Sequence, residues 1–189
     1  RLRKILKKSC LRIVALIGIG GSGKTTLARQ YAHKGNYSFV WEINAESSES
    51  LLKSCEDLGE SIMLTDEEIK KWRGLTHIKN EKIKTKKITL LISNKLKSMT
   101  NWLLIFDNVE KITDIQKYFP DDINKWKNGH IIITTTDTNI KNSTMIHDVI
   151  FLEKLNQEEK WQLFNQIVYH QPSNNLVHSK QKKLKHFLD

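Results

Sequence analysis

Cysteine is nearly absent from this sequence. Cys10 and Cys55 form no C-x-x-C pair, and two cysteines cannot build a disulfide framework, which fits a reducing, cytoplasmic setting. Only two prolines and eight glycines occur in 189 residues, so collagen-like and Pro-rich linker classes are excluded. No apolar run approaches the roughly 18 residues of a membrane span, and no signal peptide is visible. Acid is short relative to base: 31 Lys and Arg stand against 21 Asp and Glu, a formal charge of +10. Such an excess can mark a nucleic-acid or anionic-membrane partner. Here, however, the lysines are spread over several segments between Ile and Asn, and we read them as solvated faces rather than a nucleic-acid surface. The seven histidines form no pair at metal-ligand spacing and are read as surface residues. There is no internal repeat and no low-complexity segment.

What remains is a chain long enough for one domain and part of a second, whose 39% hydrophobic residues can bury a core. Its first residue is Arg1, and Lys182–Asp189 reads as a helix cut short, so we expect an internal piece of a longer protein.

One stretch organises the rest. Gly18-Ile19-Gly20-Gly21-Ser22-Gly23-Lys24-Thr25-Thr26 fits G-x-x-x-x-G-K-[ST], the phosphate-binding loop. The apolar run Ile13–Ile17 leads into it and the helix-forming run Leu27–Ala32 leaves it, the strand–loop–helix context that the motif requires. Glycines let the backbone turn its N–H groups toward one point, and the helix start adds free donors and partial positive charge. The expected binding residues are Gly18, Gly20, Gly21, Ser22, Gly23, Lys24, Thr25 and Thr26. In this pattern Lys24 reaches the β- and γ-phosphates and the Thr25 hydroxyl binds Mg²⁺.

Residues 1–11 carry most of a basic segment with Leu2, Ile5 and Leu6 at helical spacing, a basic N-terminal helix or linker. Strands are expected at about 12–17, 37–43, 102–106, 130–137 and 149–152. Helices are expected from 24 to about 33, from a cap at Ser47 or Ser48 with Leu51, Cys55, Leu58 and Ile62 inward, and from Thr65. Another, within 77–97, sets Ile88, Leu91, Ile92 and Leu96 against seven outward lysines. A short one over 113–118 is closed by Pro120. Asn156 with Glu159 forms a capping box for a last helix lined by Trp161, Phe164, Ile167 and Val168.

The run Trp102-Leu103-Leu104-Ile105-Phe106 ends at Asp107, a buried parallel strand with a carboxylate at its carboxyl end, placed to hold Mg²⁺ directly or through water. Lys24 and Asp107 are the candidate catalytic residues, and Thr25 and Asp107 the candidate metal ligands. Alternating strands and helices imply an α/β fold, a three-layer P-loop architecture. It has a parallel five-stranded sheet, helices on both faces and additional helices at the C-terminal end. Residues 12–152 would form the nucleotide-binding domain, and 153–189 a helical continuation that begins a second. The glycine loop, Asp107 and Thr134–Thr136 would then meet at carboxyl ends of strands, where such sheets bind ligands.

The order of motifs resembles one family. The loop through Leu27-Ala28, then Phe39-Val40-Trp41, Leu103-Leu104-Ile105-Phe106-Asp107-Asn108-Val109 and Ile131–Asp137 follow in sequence. Phe151–Leu155 with Trp161-Gln162-Leu163-Phe164 completes the set. Together, from about Arg12 to about Tyr169, they are similar to the NB-ARC group of STAND nucleotide-binding ATPases, which includes apoptosome adaptors, plant disease-resistance proteins and bacterial repeat-containing regulators. The resemblance implies ADP or ATP with Mg²⁺ as ligand. It also implies a switch from a closed monomer to a homo-oligomer of the full-length protein on activation. Two positions depart from the family pattern. Thr136 stands where the family carries a phosphate-sensing Arg, and Asn108 where a second acid is common. Thr136 is kept as a candidate nucleotide contact, but a short hydroxyl cannot replace a bidentate cation, and Asn takes no proton at neutral pH. The motifs Gly-Arg-Glu before the first strand and Gly-Leu-Pro-Leu after the last helix are absent. The reading is therefore a signalling switch whose enzymatic activity is at most slow Mg²⁺-dependent ATP hydrolysis. The alternative is a P-loop ATPase of the AAA or initiator type acting on nucleic acid.

Overall fold

Strand β1 (Arg12–Gly18) is where the architecture is decided, because Ile13, Val14, Ala15 and Leu16 are fully buried. A strand apolar at every position has to be covered on both faces. It is. In the computed structural model, which describes residues 12–75, 77–118 and 129–169 (165–169 as backbone only), Ile13, Ala15 and Ile17 join one hydrophobic cluster and Val14 and Leu16 another. The chain divides into two compact units, residues 1–152 and 153–189.

In the first unit β1 is followed by α1 (Lys24–Lys34), β2 (Phe39–Asn44), α2 (Ser48–Ile62), α3 (Asp66–Arg73) and α4 (Glu81–Ser98). Then come β3 (Trp102–Val109), α5 (Ile112–Gln116), β4 (Gly129–Thr135), a 3₁₀ turn over Thr138–Asn142, and β5 (Asp148–Leu152). The sheet order is β2-β3-β4-β1-β5 and every pairing is parallel. Parallel neighbours require crossovers, and the helices that make them cover the two faces. Ala28, Leu27 and Tyr31 of α1 pack with Val14, Leu16, Leu103, Ile105 and Ile132. On the other face Leu51, Cys55, Leu58 and Ile62 of α2, Trp72 of α3, and Ile88, Ile92 and Leu96 of α4 cover Ile13, Leu104, Phe106 and Ile131. The result is the expected three-layer α/β fold with a five-stranded parallel sheet.

Local chemistry sets the helix starts. Ser47 accepts from the Ser50 N–H while the Ser50 hydroxyl accepts from Ser47 N. Thr65 and Glu68 form the same reciprocal box, and Asn80 Oδ1 caps α4 through Ile83 N at 3.1 Å. Glu68 also takes both hydrogen bonds of Lys95, which, with the cap N–H groups of Thr65 and Leu64, hold its carboxyl down at about 2. The seven lysines in 77–97 flank α4's buried stripe as expected, although Leu90 is exposed and Lys84 and Lys95 are drawn into ion pairs with Glu56 and Glu68.

One histidine corrects the surface reading, and another, exposed as expected, has a structural role. His130 is half-buried on β4 and its Nδ1 lies 3.0 Å from the Tyr37 hydroxyl. His147 Nδ1 accepts the Ile13 N–H at 3.1 Å while His147 N donates to Ile13 O, so a side chain extends the β1–β5 pairing by one step. The strand expected over 130–137 ends at Thr135, because Asp137 instead caps the 3₁₀ turn through Asn139 N.

In the second unit α6 (Gln157–Tyr169) begins with the capping box read from sequence. Asn156 Oδ1 accepts from Glu159 N at 2.9 Å and Glu159 Oε2 from Asn156 N at 2.8 Å. The rings of Trp161 and Phe164 stack 5.7 Å apart. The N-terminal basic segment, Pro120 and everything beyond Tyr169 lie outside the described residues, as do the side chains of Ile167 and Val168. Among the described residues no helix is long and apolar enough to cross a membrane.

Candidate functional site

β1 stops at Gly18 and α1 starts at Lys24; the five residues between them turn the chain through two left-handed positions, Gly21 (φ 75°) and Gly23 (φ 85°). Gly23 is also the N-cap of α1, so no side chain caps the helix, and the first turn carries no acid. Free N–H groups and the positive end of the helix dipole are left facing outward, which is an anion-binding end. A Cβ added at Gly20, Gly21 or Gly23 would meet nothing within 4 Å, so the space beside these residues is open. At Gly18 a Cβ would stand 2.6 Å from Leu152 O and from Ser22 Oγ, so this glycine is required by close packing against β5. The Lys24 side chain, only 9% exposed, folds back so that Nζ donates to Gly18 O at 2.9 Å and to Ile19 O at 2.8 Å. Its ammonium is thereby fixed against the loop backbone. Ser22 Oγ, close to Gly18, is buried without a hydrogen-bond partner among the described residues. An orphaned hydroxyl, a fixed cation, uncapped N–H groups and room only glycine leaves together fit an oligophosphate.

Beside this loop, Thr25 at the start of α1 and Asp107 on β3 meet: Thr25 Oγ1 donates to Asp107 Oδ1 at 2.7 Å. The same oxygen takes the Thr134 hydroxyl from β4 at 2.6 Å. Each hydroxyl has one proton, so Thr25 keeps its lone pairs for a cation while bonded to Asp107. Among the described residues no cluster of three or more His, Cys, Asp or Glu could hold a metal. One carboxylate and one hydroxyl is a sparse donor set, suited to Mg²⁺, which keeps most of its waters and takes the remaining oxygens from phosphate. One turn after Thr25, Arg29 makes a bidentate pair with Glu42 of β2, Nε to Oε2 at 2.8 Å and Nη2 to Oε1 at 2.5 Å. That hydrogen-bonded carboxylate raises the Arg29 pKa further, and the charge of nearby Asp107 adds to it. The buried Cys55 thiol is pushed up to about 12 by desolvation and supplies no nucleophile.

The sequence model of the NB-ARC domain matches residues 1–174. The chain belongs to the NB-ARC family. A probable disease resistance protein of Arabidopsis thaliana is 24% identical over 174 residues, covering 87% of this chain and 17% of its own length. A crystal structure from Pyrococcus horikoshii aligns over 93% of this chain and 26% of its own, with a TM-score of 0.50 and 22% identity, and shares the fold. It is of a Signal Transduction ATPase with Numerous Domains (STAND) protein with a tetratricopeptide repeat sensor. The NB-ARC chain thus spans about a sixth and a quarter of the length of these two proteins.

Within this NB-ARC domain the residues read from sequence fall as follows. Gly18, Gly20, Gly21, Ser22, Gly23 and Lys24 form the loop, and Thr25 and Asp107 are joined beside it. Thr26 is exposed on the first turn of α1. Thr136 is exposed one residue past β4, and Asn108 is exposed with a left-handed φ of 61°. Sequence reasoning missed the roles of Thr134, which touches Asp107, and of the Arg29–Glu42 pair. The signal for Thr134 was available: it lies two residues after Ile132, on the same face of β4, and period two carries it to the side that faces α1.

Proposed function

We propose that this NB-ARC domain binds ADP and ATP with Mg²⁺ and serves as the nucleotide-operated switch of a longer cytoplasmic protein, with hydrolysis slow or vestigial. The observation that carries the reading is one glycine loop that has open space beside Gly20, Gly21 and Gly23, the Lys24 ammonium fixed on its backbone, an orphaned Ser22 hydroxyl, and the Thr25–Asp107 pair at the start of the helix that follows. In this reading residues 12–152 are the nucleotide-binding unit and residues from 153 begin the helical continuation. The loop N–H groups, Ser22 and Lys24 hold the phosphates; Thr25 and Asp107 hold the cation. Bound Mg²⁺ supplies neutralising charge to the phosphate oxygens. The surroundings of Asp107 favour retention over turnover. Asn108 cannot accept a proton from water. Thr136 cannot neutralise charge as an arginine would. Arg29, whose charge Asp107 feels, is held by Glu42. A bound nucleotide then acts by its different contacts with two conformations, and activation assembles copies of the full-length protein.

The reading is tested by acid-extracting purified protein and identifying the released nucleotide. ADP in near-equimolar amount is expected. Protein that carries none, and takes up none when incubated with ADP and Mg²⁺, overturns it.

A further inference from the structure

The β3–β4 ladder is regular from Trp102↔Gly129 to Phe106↔Ile133, breaks, and resumes at Val109↔Thr135. Two residues of β3, Asp107 and Asn108, therefore stand opposite one residue of β4, Thr134: a two-against-one bulge. Asn108 takes the left-handed conformation there (φ 61°) and its N–H leaves the ladder. Thr134 Oγ1 accepts that N–H at 2.9 Å and donates its own proton to Asp107 Oδ1 at 2.6 Å. The hydroxyl is inside the protein, the residue being 1% exposed, and both its bonds are spent on the bulge. Thr135 closes the other side by donating to Val109 O at 2.6 Å, and it touches neither Asp107 nor Thr25 in any hydrogen bond described.

We propose that Thr134 is a positioning residue, which fixes the Asp107 carboxylate against Thr25 and so sets the Mg²⁺-dependent part of nucleotide affinity; this rests on the nucleotide-binding reading above. Asp107 is in register with Asn44 of β2, but on its β4 side it sits at a break in the ladder, and no backbone pairing fixes its carboxylate. Its orientation comes from the two hydroxyls that share Oδ1, one from α1 and one from β4. Thr25 belongs to the phosphate loop's own helix. Thr134 is the donor that ties the carboxylate back to the sheet. Removing it frees Asp107 to rotate and leaves the Asn108 N–H without its acceptor. Partners that orient a metal ligand typically contribute about 10–100-fold to metal affinity.

The test is calorimetric titration of ADP, with Mg²⁺ and with EDTA, into the stripped 189-residue chain and its Thr134→Val, Thr134→Ser and Thr135→Val variants. Amide exchange at Asn108 is followed in the nucleotide-free proteins. Thr134→Val is expected to lose about 10–100-fold of affinity in Mg²⁺ while keeping its affinity in EDTA. Its Asn108 amide should exchange faster. Thr134→Ser should restore both. Thr135→Val, which also opens the bulge, should keep the Mg²⁺ increment even if it is less stable. A Thr134→Val chain with the wild-type Mg²⁺ increment, or with equal losses in Mg²⁺ and EDTA, overturns this assignment and leaves the nucleotide reading standing. So does a Thr134→Ser chain that restores nothing. A folded wild-type chain that binds no ADP in either condition overturns the nucleotide reading and this assignment with it, whatever the exchange at Asn108.

Discussion

Replacing Gly20 by alanine should weaken nucleotide binding without weakening the fold. The added Cβ meets nothing within 4 Å, and Gly20 is not among the left-handed residues. Neither sterics nor torsion then opposes the substitution, and the unfolded chain loses freedom, so stability should hold or rise by about 0.4–1 kcal/mol. The open space, however, is the space assigned to phosphate. An oxygen accepting a loop N–H sits about 2.9 Å from the nitrogen, whereas a methyl carbon keeps its neighbours roughly 3.5 Å away or more. Displacing the phosphate by that difference forfeits at least one hydrogen bond to a charged group, worth about 1.5–3 kcal/mol. This corresponds to a roughly ten- to hundredfold weaker Kd. Two neighbours serve as contrasts. Gly23→Ala must hold a side chain at φ 85°, a cost of about 1–2 kcal/mol. Gly18→Ala would place its Cβ 2.6 Å from Leu152 O, so β5 must shift, at about 1–3 kcal/mol. Urea unfolding ranks the stabilities, on protein stripped of nucleotide because ligand bound to the native state inflates them. ADP titration with Mg²⁺ ranks the affinities. A Gly20→Ala chain that bound ADP like wild type would show that phosphate does not occupy the open side of the loop. One that lost more than about 1 kcal/mol would show that the space is not open.

Lys24→Ala removes the buried ammonium fixed on the loop backbone and should abolish tight nucleotide binding while circular dichroism stays native; unchanged ATP affinity in the folded variant would remove Lys24 from the site. His147 makes stability depend on pH. Desolvation, with Arg12 nearby, lowers its pKa against a smaller opposing effect of Asp148, so the native state holds the ring neutral with Nδ1 accepting from Ile13. A depressed native pKa means stability present above the unfolded value of about 6.5 and lost as pH falls through the native one. His147→Asn, whose Oδ1 can take the same N–H, should flatten the slope of unfolding free energy between about pH 7 and 5; an unaltered slope would refute the assignment. Thr136→Arg places a cation on an exposed residue at the exit of β4. It should change stability by no more than about 0.5 kcal/mol and raise the affinity for ATP relative to ADP, measured as a ratio of Kd values. An unchanged ratio would take Thr136 out of the site.

Much of this was legible in the residues. Ile13–Ile17 and Trp102–Phe106 announced strands buried on both faces, because such strands have no polar side to alternate with. Thr65 and Asn156 announced their helices, and Ser47 or Ser48 a third that begins with Ser47 as its cap, because capping signals lie within a few residues of the helix start. The loop and Asp107 could be placed because each stands at the carboxyl end of such a strand. Contacts set by pairing were not legible. That β1 lies between β4 and β5, with β2 at the far edge, is a decision among distant segments. The bulge that puts Asp107 and Asn108 opposite Thr134 exists only once that order is known. The same holds for Arg29 with Glu42 across α1 and β2, and for His130 with Tyr37, whose ring lies edge-on to the imidazole 5.7 Å away. The bond that the exposed His147 accepts from the Ile13 backbone likewise depends on β5 lying beside β1.

On this reading the domain binds ADP and ATP but hydrolyses ATP slowly. The direct measurement is ADP and ATP binding to the stripped chain in Mg²⁺, followed on the same preparation by single-turnover hydrolysis of ATP. Saturable binding of both nucleotides is expected, with hydrolysis far below the roughly 1–10³ s⁻¹ usual for enzymes. Rapid multiple turnover by the isolated chain, or a folded chain that binds neither nucleotide, would contradict it.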